Sequence, residues 1–158
     1  MTMVTYAAWA LAAGALIPLM AILNAGLARA TGGPIQATIL LFATGLAASL
    51  LLAVATKAPM PTVQTLTRIA PSHYAGGLIV AFYILSITFI APRFGVGNAI
   101  LFAVTAQLLT SAFIDHFALA EAARRPLTAL RATGLFVVIA GVVITQVSDR
   151  IGTAIRVP

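Results

Sequence analysis

Cysteine is absent from the sequence, so disulfides and thiolate metal sites are excluded. Acidic residues are nearly absent: Asp115, Glu121 and Asp149 are the whole set. Histidine occurs at His73 and His116 alone, too few for a histidine cluster. No metal and no cofactor is therefore expected. Charged residues of both signs make up 8% of the chain, where a soluble domain carries about 25%. So little charge cannot cover a water-facing surface. What fills the chain instead is apolar: 61% of its 158 residues are hydrophobic, and the mean hydropathy is +1.09. Lipid is the solvent that fits, and the bilayer is the first expected partner.

The formal net charge is +6. In a soluble protein that balance would suggest nucleic acid. Here the basic residues stand singly or in pairs between apolar runs, with no basic stripe beside aromatics. They read as helix-end anchors at lipid headgroups, and no nucleic acid is expected. Tyr6 and Trp9 read as aromatic belt residues near the first interface.

Five runs lack Asp, Glu, Lys and Arg: Met1–Ala28, Ala30–Thr56, Ile69–Pro92, Phe94–Ile114 and Ala132–Ser148. Crossing ~30 Å of hydrocarbon takes about 20 apolar residues in a helix. The first four runs suffice. The fifth needs Arg131 and Asp149 at the two interfaces. Barrel strands would be ~10-residue alternating segments, which these are not. The first run has no basic n-region and exceeds the roughly 7–15 residues of a signal-peptide core, so it reads as a retained helix. The expected fold is all-α: one membrane domain over 1–158, with helices at about 4–28, 34–56, 72–91, 96–117 and 130–148. Gly32-Gly33-Pro34 breaks the first from the second. Pro59, Pro61 and Pro71 punctuate the next link, and between them Val63, Leu66 and Ile69 recur at three-residue spacing, which suits a short interfacial helix. Thr128 is a suitable N-cap for the last helix.

An odd number of spans puts the termini on opposite sides. One side then holds Lys57, Arg68, Arg124, Arg125 and Arg131, and the other Arg29, Arg93, Arg150 and Arg156. The positive-inside rule needs a clear excess, and five against four is almost none. Two readings stay open: a single orientation with weak bias, or insertion both ways round, which permits an antiparallel dimer.

Polar groups inside apolar spans must be paired or face a cavity. Gln107, Ser111 and Asp115 follow at four-residue spacing and share one stripe. Gln107 and Ser111 are candidate substrate-pathway residues, with interhelical bonding as the alternative. Asp115 and His116 form a candidate proton-exchanging pair. Their distance from Gln107, ~12 Å along the axis for Asp115, also fits a polar helix end. Asn24 either lines a cavity or bonds backbone freed near Pro18 and the Gly32-Gly33 turn. Tyr83 and Ser86 share a face of the third span and are further pathway candidates. Gly134 and Gly141, seven residues apart, allow close helix approach and are the candidate dimer interface, with packing inside one chain as the alternative. No catalytic set stands out: Asp115 and His116 are neighbours whose side chains diverge by ~100°, and no enzyme activity is expected.

The order Asn24-x-x-Leu27-x-Arg29, Gly33-Pro34, Phe42-Ala-Thr-Gly45, Gly76-Gly77, Ala91-Pro92-Arg93-Phe-Gly95, Gln107-Leu-Leu, Ile114-Asp115-His116-Phe117 and Pro126-Leu-Thr-Ala-Leu-Arg131 resembles the YdcZ-type proteins. These are short five-helix members of the drug/metabolite transporter superfamily, relatives of the small multidrug resistance transporters. The likeness spans essentially the whole chain. Met20 and Ala118 depart from it, where the family often has Gln and Gly. The resemblance implies an inner-membrane, multi-pass transporter subunit. It also implies half of an inverted ten-helix architecture, working as a homodimer, antiparallel or not, or as a heterodimer with a paralogue. The last span resembles the dimerisation helix of the small multidrug resistance proteins. The implied cargo is a small organic molecule moved by alternating access. A non-transporting membrane scaffold or accessory protein is the alternative function. The first span has no acidic residue, so proton-driven cation export through a deep carboxylate is not expected, and a neutral, zwitterionic or amphipathic solute is.

Overall fold

A computed structural model describes residues 2–119 and 125–155, with side chains described as far as Ser148. Arg124 and Arg156, counted above in the charge balance, lie outside the described residues. All described elements are helices: α1 (Met3–Thr31), α2 (Pro34–Thr56), α3 (Val63–Arg68), α4 (Pro71–Phe94), α5 (Val96–Phe117) and α6 (Ala129–Ile155). Five of them, all but α3, are long and apolar enough to cross a membrane. Helix is the outcome lipid enforces, because each backbone N–H and C=O must be satisfied within its own segment. Large apolar side chains point outward along every span, among them Leu11, Leu51, Leu78, Phe82 and Phe136. A water-soluble chain does not expose apolar surface on this scale.

Local chemistry sets the helix ends. α1 stops where Gly32 takes a left-handed conformation, φ 92°, which costs glycine nothing. This is three residues beyond the expected end, since Arg29 and Thr31 are tolerated in a last turn that leaves the hydrocarbon. Pro34 opens α2 and Pro71 opens α4 at their first turns, where the missing N–H has no partner to lose. In α3, Thr62 caps by accepting the Thr65 N–H at 3.2 Å, and Tyr74 of α4 donates its hydroxyl to the Leu66 carbonyl at 2.9 Å. α6 is capped by Thr128, which accepts the Arg131 N–H at 3.2 Å. It continues past the expected end at 148, because nothing after Ser148 resembles a breaker until Gly152.

The chain divides into two compact units, residues 1–96 and 97–158. In the first, α1 packs on α2 and α4, and α2 packs on α4. The buried residues are small: Ala21, Ala25, Ala37 and Ala91, joined by Ile84 and Ile87. In lipid the hydrophobic effect does not drive helices together, and association rests on close packing and hydrogen bonds. A contact surface of alanines follows from that. The second unit is the α5–α6 hairpin.

Candidate functional site

In the first unit the polar centre is Asn24. It lies on the packed face of α1 and is 4% exposed. Its Nδ2 donates to the Thr88 hydroxyl of α4, and that hydroxyl donates onward to the Ile84 carbonyl at 2.7 Å. Asn24 therefore bonds a side chain, not backbone loosened near Pro18. Its Oδ1 is buried without a partner among the described residues, as is the hydroxyl of Thr38 on α2. An unsatisfied buried polar atom costs about 1–3 kcal/mol, so both atoms call for an explanation in use. Beside Asn24 runs a groove of about 380 Å³ between α1 and α2. Leu16, Leu19, Met20, Leu41 and Thr44 line it with Asn24. Met20 thus stands in the groove wall, where the expected polar Gln would have stood. Thr44 turns its hydroxyl back to the Leu41 carbonyl at 2.9 Å, which leaves the groove predominantly apolar.

Tyr83 and Ser86 lie half-buried on α4. Neither makes a hydrogen bond among the described residues. They sit on the same helix as Thr88, which the sequence did not single out.

In the second unit, Gln107 is exposed at the middle of α5. Its amide has no partner among the described residues. Ser111 donates to the Leu108 carbonyl of its own helix at 2.9 Å. The proposed stripe ends differently again at Asp115. Its Oδ2 accepts from Arg131 Nη2 at 2.7 Å, and its carbonyl accepts the Arg125 N–H at 2.9 Å. His116 Nδ1 accepts the Leu127 N–H at 3.0 Å, and its ring meets Phe117 edge-on. Arg131 Nη1 also donates to the Arg125 carbonyl at 3.2 Å. Asp115 and His116 are together occupied in closing the α5–α6 link. At the opposite end of the hairpin Gln146 donates to Asn98 Oδ1 at 2.8 Å. Gly134 and Gly141 are exposed on α6, and a Cβ at either would meet nothing within 4 Å. No group of three or more His, Cys, Asp or Glu able to hold a metal occurs among the described residues.

The described polar groups within the apolar spans are thus a few inward or unpaired amides and hydroxyls. A family model described as "Putative inner membrane exporter, YdcZ" matches residues 5–144. The chain belongs to the YdcZ family. It is a multi-pass inner-membrane protein of transporter type. No curated protein and no solved structure matches it. The matched residues include Asn24, Thr88, Gln107, Asp115, His116 and both α6 glycines.

Proposed function

We propose that this YdcZ-family protein moves a small organic solute by alternating access, as a dimer of two five-helix halves. The observation that carries the reading is Gln107. An amide at the centre of a span, exposed and without a partner, is unstable against lipid. It needs a second chain or a water-filled path, and a dimer with a midplane cavity supplies both. The near-balanced flanking charge supports an inverted second half, whether a copy of this chain or a paralogue, in the manner of inverted-repeat transporters. The apolar groove beside Asn24 favours a solute with an apolar body and few polar groups. Tyr83 and Ser86 would offer hydroxyls to it.

The test is uptake into reconstituted vesicles of a labelled panel of neutral, zwitterionic and amphipathic solutes. Gln107→Ala should lower transport at least about tenfold, the scale of one well-made polar contact, while its helical content stays that of the unmutated protein. Absence of uptake for every solute would favour the scaffold reading.

A further inference from the structure

A second cavity, of about 370 Å³, opens where α1 ends, α2 begins and α4 ends. Arg29 and Arg93 line it, with Gly33, Pro34, Thr88 and Phe89. Arg29 makes no hydrogen bond or ion pair among the described residues. Arg93 uses one N–H on the Phe89 carbonyl at 2.6 Å and lays its guanidinium 4.0 Å over the Phe89 ring. That holds the charge in place and leaves most of its five donors free. Residues 1–96 contain no acidic side chain at all, so this unit cannot supply a counter-charge.

The sign of the local field follows from simple magnitudes. Each helix end carries about half a charge, positive at an N-terminus and negative at a C-terminus. Two guanidinium groups, one N-terminus and two C-termini leave roughly +1.5 elementary charges. The α2 N-terminus is uncapped, since Gly33 offers no side chain. Its first amides add donors for an anion. The surroundings are apolar: Ile35 and Phe89 lie exposed beside the cavity at the ends of membrane spans.

We infer that this cavity binds the phosphate of an anionic lipid headgroup, with the acyl chains lying along the apolar flank. A planar guanidinium fork matches a phosphate's oxygens in pairs. A phosphate could also arrive as a soluble anion, but the exposed apolar side chains of Ile35 and Phe89 beside the mouth favour one that carries acyl chains. The inference is independent of what the protein transports.

Native mass spectrometry from detergent micelles holding equal phosphatidylglycerol and phosphatidylcholine of matched chains tests it. The unmutated protein should retain phosphatidylglycerol by about tenfold, and the Arg29→Gln/Arg93→Gln variant should lose that preference. Lys57→Gln/Arg68→Gln, which removes the other two cations of residues 1–96, should keep it. Arg29→Lys/Arg93→Lys should keep part of it, because an ammonium attracts phosphate but cannot pair with two of its oxygens. Preference surviving in the Arg→Gln variant, or lost equally in the Lys57/Arg68 variant, overturns the inference. Loss of preference accompanied by a lowered melting temperature of the lipid-free Arg→Gln variant assigns the effect to folding and overturns it too. Stabilisation of lipid-stripped protein by inorganic phosphate as large as that by phosphatidylglycerol reassigns the cavity to a soluble anion.

Discussion

Asn24 holds one satisfied and one unsatisfied polar atom in the same buried side chain. The two can be weighed. An interhelical hydrogen bond in a membrane averages about 0.6 kcal/mol. A buried orphan acceptor costs about 1–3 kcal/mol. Removing both should therefore not destabilise, even with some loss of packing. Asn24→Ala is expected to be neutral or stabilising by up to about 1 kcal/mol in thermal melts in detergent, while transport falls. A clear drop in melting temperature would show that Oδ1 has a partner that stabilises the fold. Asp115 contrasts with it. Its ion pair with Arg131 is partly exposed, 28% and 32% for the two side chains. Such pairs are worth about 0.2–1 kcal/mol. Asp115→Asn should cost no more than that and leave the pH profile of transport unchanged, because its carboxylate is engaged in the hairpin link. A shifted profile would restore the proton-exchange reading. Sequence spacing put Asp115 on a stripe with Gln107, but spacing says nothing of the partner sixteen residues later.

At the scale of elements, the α5–α6 hairpin shows a local strain. Ala118, just after α5, has φ 50°. The left-handed region costs a residue with a Cβ about 1–2 kcal/mol, and glycine little. The YdcZ resemblance set glycine against this position, and the backbone supplies the reason. Ala118→Gly should stabilise by up to about 1 kcal/mol, read as a raised melting temperature with unchanged helicity. The same hairpin contains a pairing whose depth follows from sequence distances alone. Asn98 lies about 26 Å before Asp115 and Gln146 about 23 Å after Arg131, at 1.5 Å per residue. Once Asp115 and Arg131 are paired, an antiparallel hairpin brings Asn98 and Gln146 to one depth, where they bond. Thr88 offered no such signal. It is one hydroxyl in an apolar run, and only the rotation of α4 against α1 selects it.

For the whole molecule, the face of α6 left open by Gly134 and Gly141 bears on assembly. A Cβ there would meet nothing within 4 Å among the described residues. Gly134→Leu/Gly141→Leu should not lower the melting temperature of the monomer, since a glycine inside a helix costs about 0.5–1 kcal/mol relative to a residue with a Cβ. It should shift a dimer to monomer in detergent-corrected light scattering if this face packs on a second chain. An unchanged mass would remove α6 from the interface. Composition alone determined that this protein lives in lipid, and the five apolar runs determined its helices. In hydrocarbon every backbone group must be satisfied locally, so length and hydropathy suffice to place a span. Tertiary structure alone decided which polar side chains meet. The bonds Asn24–Thr88 and Gln146–Asn98 join residues 64 and 48 positions apart. Each depends on how one helix is rotated against another. That rotation is set by alanine packing and a few hydrogen bonds, because lipid bathes every apolar face alike and gives none of them a preferred direction.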